Sequence, residues 1–158
     1  MLKKTTNIIL LGLLMVMGCS KDDSEEIDTE YPVIDISAMD SFPKQCGQVK
    51  RGETFTYRVS FSDNAELGST SIDIHHNFDH HTHSTEIEEC NLEAKKTPIN
   101  PFLFIKNYSI PKGVKTYTLG EKIAIPADID PGDYHFMIRL TDKEGWQSIK
   151  GLSIKITQ

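Results

Sequence analysis

Five of the chain's six histidines fall within nine residues, His75-His76-Asn77-Phe78-Asp79-His80-His81-Thr82-His83, and the sixth is His135. Six histidines scattered evenly along 158 residues would leave fewer than one in such a window, so the clustering needs a cause. Imidazole is largely neutral near pH 7 and ligates zinc, copper(II) and nickel(II). A single segment that supplies several rings closes most of a tetrahedral shell. The expected ligand set is His75, His81, His83 and His135, with Asp79 as a carboxylate ligand or as the partner that orients a ring. A ligating ring usually gives its second N–H to a carboxylate or carbonyl, and Asp73, Asp79 and Glu86 are close enough in sequence to take it. No thiolate lies inside the cluster, and beyond the first eighteen residues the only methionines are Met39 and Met137, which argues against a copper(I) thioether site. Zn2+ therefore comes first, with Cu2+ or Ni2+ possible on raw affinity. Binding should weaken below about pH 6 as rings protonate. Two blander readings stand beside this one: a solvated, pH-sensitive loop, and an interaction surface without metal. The spacing matches neither H-E-x-x-H nor a Cys/His finger.

Rings this far apart in sequence need a scaffold. From Tyr31 onward the apolar pattern has period two. Phe55, Tyr57, Val59 and Phe61 alternate with polar residues, as do Ile72 and Ile74, then Tyr134, Phe136, Ile138 and Leu140, then Leu152, Ile154 and Ile156. Turn residues separate the runs: Lys50-Arg51-Gly52, Asp63-Asn64, Pro111-Lys112-Gly113, Asp130-Pro131-Gly132 and Lys143-Glu144-Gly145. About seven short strands at this spacing predict an all-β fold of two packed sheets. Asp130-Pro131-Gly132-Asp133-Tyr134 resembles the tyrosine corner of immunoglobulin-like antiparallel β-sandwiches, which would make Tyr134 the start of strand F and put Phe136 where antibody domains carry a cysteine. Strand C is expected from about Ser71 to Phe78. Ile72 and Ile74 then face inward, so His75 points out and His76 in. Strands C and F are neighbours in such a sandwich, which would set His75 beside His135 on the outer face, with His80–His83 folded over them.

The N-terminus reads as an address. Lys3 and Lys4 precede a ten-residue apolar run, Ile8 to Met17, too short to span a bilayer and the right length for a signal-peptide core. Val16-Met17-Gly18-Cys19 resembles a bacterial lipobox, which implies cleavage after residue 18 and lipidation of Cys19. Residues 19–30 are polar and acidic, a flexible tether, and resemble the stretch that sends lipoproteins of Bacteroidota to the outer face of the outer membrane. Residues 31–158 form the sandwich. With Cys19 lipidated, Cys46 and Cys90 remain, an even pair in an oxidising compartment, and a disulfide between them is expected; the alternative makes Cys90 a metal ligand. The formal net charge of −6 gives no basic surplus for phosphates, so nucleic acid is excluded as a partner. No Walker loop, G-x-G-x-x-G or G-x-S-x-G occurs.

Taken together, the lipobox, the histidine segment 75–83 and Pro131-Gly132-Asp133-Tyr134-His135-Phe136 resemble a family of Bacteroidota lipoproteins, Domain of Unknown Function 4625. The resemblance implies lipoprotein character, a sandwich fold and a histidine-rich segment, and no catalytic role. The reading that follows is a surface-exposed outer-membrane lipoprotein that captures a divalent transition metal and hands it to an outer-membrane receptor or transporter. The alternative is an adhesion or glycan-binding module using aromatics near turns, such as Tyr108, Tyr117 and Trp146. A metal-dependent hydrolase with Glu86, Glu88 or Glu89 as base is weaker, because so small a sandwich offers little substrate pocket. The chain is not expected to be an enzyme.

Overall fold

A computed structural model describes residues 27–82 and 90–158 of the chain. The expectations for the signal peptide, lipidated Cys19, most of the tether, His83, Glu86, Glu88 and Glu89 lie outside the described residues. The described residues form eight strands: β1 (Val33–Asp35), β2 (Gly47–Lys50), β3 (Thr54–Ser62), β4 (Leu67–His76), β5 (Phe104–Ser109), β6 (Thr116–Ala124), β7 (Gly132–Asp142) and β8 (Gln147–Thr157). They form two sheets, of order β1-β3-β6 and β2-β8-β7-β4-β5. The fold is an all-β sandwich of the immunoglobulin-like kind. All pairings are antiparallel except that of β2 with β8, which is parallel.

The alternating residues do what period two requires. Tyr57, Val59 and Phe61 of β3 and Leu119 and Ile123 of β6 pack across the sandwich from Ile72 and Ile74 of β4, the even positions Tyr134 to Leu140 of β7, and Leu152, Ile154 and Ile156 of β8. Phe136 touches Tyr57 at 5.3 Å between ring centroids, so an aromatic pair fills the space between the sheets. The tyrosine corner is present: the Tyr134 hydroxyl donates to the Asp130 carbonyl at 2.6 Å and accepts from the Phe102 N–H at 3.1 Å.

Strand β4 differs from the expected span at both ends. It starts four residues earlier, at Leu67, across a register shift between Leu67 and Ser69. Gly68 allows this, since a Cβ there would run into the Asp142 carbonyl. It ends at His76, because Asn77 donates to the Asp133 carbonyl and the chain then turns, with His80 at φ +59°. The antiparallel pairing of β4 with β7 places Leu67 and Asp142 at one end of the sandwich and His76 and Tyr134 at the other.

Residues 90–103 run back over that second end. The Lys96 N–H donates to the Phe78 carbonyl, and the Asp130 carboxylate accepts the N–H groups of Ile99 and Asn100. Cys46 and Cys90 form a disulfide with Cα atoms 5.5 Å apart, which closes the alternative of Cys90 as a metal ligand.

Candidate metal centre

His75 of β4 and His135 of β7 are direct cross-strand partners, which sets their side chains together on one face. That face is opposite the sandwich core, because Ile74 and Phe136 occupy the inward phase. His135 is nevertheless 0 % exposed. The turn after β4 carries His81 back over it: the His81 and His135 ring centroids are 4.8 Å apart, those of His75 and His135 5.3 Å, and those of His75 and His81 5.6 Å with planes at 11°. One ligand atom from each of the three rings lies within 4.8 Å of the other two.

One nitrogen of each ring meets an oxygen acceptor. His75 Nδ1 meets Asp73 Oδ1 at 2.8 Å, and His81 Nδ1 meets Asp79 Oδ1 at 2.6 Å. His135 Nε2 meets the carbonyl of His81 at 3.0 Å. All three acceptors are oxygens, so each neutral ring donates through that nitrogen and carries its lone pair on the other. In that tautomer the acceptor nitrogens are Nε2 of His75, Nε2 of His81 and Nδ1 of His135. Carboxylate or carbonyl behind the ring is the arrangement that fixes tautomer and raises basicity at a metal-ligating histidine. The hydrogen bond from His81 holds the Asp79 carboxyl down at about 2, so Asp79 stays ionised where it meets the ring.

The remaining candidates sit apart. His80 Nε2 contacts the Glu93 carbonyl at 2.9 Å, and the His76 ring packs on Phe78 at 5.0 Å. His83, expected as a ligand, lies outside the described residues. Asp73, named from sequence only as a nearby carboxylate, is the partner of His75. The carbonyl that orients His135 was invisible to a reading of residue types, because every residue has one. Of the aromatics proposed for glycan contact, Tyr108 and Tyr117 pack against the core, while Trp146 stacks edge-on with Tyr31 and donates from Nε1 to the Asp28 carbonyl at 2.8 Å.

The family profile described as Domain of unknown function (DUF4625) matches residues 17–157. The chain belongs to this family. A search of curated proteins finds no match for this DUF4625 chain. Among solved structures it is similar to one described as "GspB Siglec domain", at 19% identity and a TM-score of 0.42, covering 82% of this chain and 59% of that one. It is also similar to Spo0M, a sporulation control protein from Bacillus subtilis, at 8% identity and a TM-score of 0.40, covering 81% and 49%. The DUF4625 chain thus spans about half to three-fifths of the length of these structures.

Proposed function

We propose that this chain is an outer-membrane lipoprotein, lipidated at Cys19 and facing the cell surface, that binds a divalent transition metal through His75, His81 and His135. The observation that carries this is the convergence of three imidazoles, each with one nitrogen on an oxygen acceptor and each offering one ligand atom within 4.8 Å of the other two. An all-imidazole set suits zinc first, then copper(II) or nickel(II). Three protein ligands leave a fourth position to water, to His83 or to a group on a receiving protein. That open position supports capture and delivery to an outer-membrane receptor or transporter over a purely structural ion.

The test is calorimetric titration of Zn2+, Cu2+ and Ni2+ into the purified full chain after chelator treatment. One ion per chain with Kd below about 10 μM is expected. The double variant His75→Ala/His81→Ala should lose that binding while keeping its far-ultraviolet circular dichroism. Retention of wild-type affinity in the double variant would remove this reading.

A further inference from the structure

A second convergence of ligand atoms lies at the opposite end of the sandwich, and it is made only of oxygen. Asp28 precedes β1, Asp63 follows β3, and Asp142 ends β7; one carboxylate oxygen from each lies within 4.8 Å of the other two. The three side chains are built alike. Asp28 Oδ1 accepts from the Glu30 N–H and the Asn64 amide, at 2.9 and 2.8 Å. Asp63 Oδ1 accepts from the N–H groups of Ala65 and Glu66, at 2.9 and 2.8 Å. Asp142 Oδ1 accepts from those of Gly145 and Trp146, at 2.6 and 2.7 Å.

The other oxygen is the telling one. Asp28 Oδ2, Asp63 Oδ2 and Asp142 Oδ2 are each shut off from solvent, and each has no hydrogen-bond partner. Asp142 is only 4 % exposed and Asp28 9 %. A carboxylate oxygen buried without a donor is strongly unfavourable, and three carboxylates gathered this closely add mutual repulsion. A cation among them removes both penalties at once.

The geometry points to a calcium site formed by Asp28, Asp63 and Asp142. Ca2+ takes oxygen ligands at about 2.3–2.6 Å, so ligands across the ion stand up to about 5 Å apart, which is compatible with oxygens gathered within 4.8 Å. Mg2+ demands near-ideal octahedral geometry with bonds of about 2.0–2.1 Å and keeps more of its own water, so a site of three protein carboxylates suits it less. The absence of nitrogen and sulfur argues against the transition metals suited to the histidine centre. Backbone carbonyls and water complete the larger Ca2+ shell. Such an ion would tie three segments together: the lead-in to β1, the β3–β4 turn and the β7–β8 turn. The first of these is the chain arriving from Cys19, so the ion would clamp the tether to the body.

The only tryptophan reports on this site, because Trp146 bonds to Asp28 through its indole and to Asp142 through its backbone. The test uses the full chain stripped with a calcium chelator, followed by tryptophan fluorescence and thermal melting during CaCl2 titration. A saturable, one-site change with Kd of about 0.1–1 mM and a melting temperature that rises with Ca2+ are expected. Asp63→Asn and Asp142→Asn retain the Oδ1 acceptor for the same backbone donors, so both should fold and both should weaken Ca2+ binding at least tenfold. His75→Ala/His81→Ala should bind Ca2+ as the wild type does, which separates this site from the histidine centre. No response up to about 10 mM Ca2+, an unchanged response in Asp63→Asn, or equal affinity for Mg2+ would overturn the assignment.

Discussion

A histidine ring has two nitrogens, and at His75, His81 and His135 the neighbouring oxygens decide which one would face a metal. This gives unequal consequences for substitution. His135 is fully buried between β4, β8 and the returning turn, so His135→Ala removes a ligand and leaves a cavity. It should abolish Zn2+ binding and also lower the urea midpoint. Asp79 is exposed and meets the site through His81. Asp79→Asn should leave stability unchanged while weakening Zn2+ affinity by about 10–100-fold, as loss of an orienting carboxylate does; parallel calorimetry and urea melts on the two variants separate these outcomes. Tyr134 supplies a third residue-scale test. Tyr134→Phe leaves the buried Phe102 N–H without its acceptor and should cost about 1–3 kcal/mol by chemical denaturation.

At the scale of elements, the strands with clean alternation were legible and the edges were not. The runs in β3, β4, β7 and β8 stand out because consecutive inward positions are apolar: Phe55 to Phe61, Ile72 and Ile74, Tyr134 to Leu140, and Leu152 to Ile156. In β6 the inward phase of Tyr117, Leu119 and Ile123 is broken by Glu121, which pairs with Lys106 of β5 at 3.7 Å. β5 is an edge strand with most side chains in solvent, so its pattern carries little signal. β2 buries only Val49 and is defined by its parallel pairing with β8, a long-range contact that local periodicity cannot encode. His75 and His135 could be placed side by side because phase along a strand and strand adjacency were both readable; the approach of His81 depends on a turn at His80 whose positive φ no residue type there announces. The aspartate cluster escaped because its members span more than a hundred residues, although two of the three stand in turns evident from sequence.

The connector over the site end offers an element-scale prediction in pH. The N–H groups of Ile99 and then Asn100 hold the Asp130 carboxyl below the usual carboxylate range, with help from Lys96 and His76. The folded pKa is thus lower than the unfolded one, so the stabilisation is fully present above about pH 4 and is lost as pH falls through the folded value. Wild type should therefore be more stable than Asp130→Asn at pH 6, and the gap should shrink on titration towards pH 2.5. Urea midpoints across that range check this; a gap that stays constant with pH would contradict it.

For the molecule as a whole, the disulfide and the two proposed ion sites would act on different parts. Cys46–Cys90 closes a loop over 44 positions that contains the histidine segment. Its loss in Cys46→Ala/Cys90→Ala should reduce stability by up to about 4 kcal/mol in the chain-entropy model, read by denaturant melts against wild type. The histidine centre and the aspartate cluster sit at opposite ends of β7, with His135 seven residues from Asp142, roughly 23 Å at about 3.3 Å per residue. The cluster end is where the chain from Cys19 enters. With that cysteine embedded in lipid, the domain would stand on the bilayer like a post, its imidazoles at the crown. Ions or carrier proteins diffusing in from the medium would meet them first, clear of the lipid headgroups.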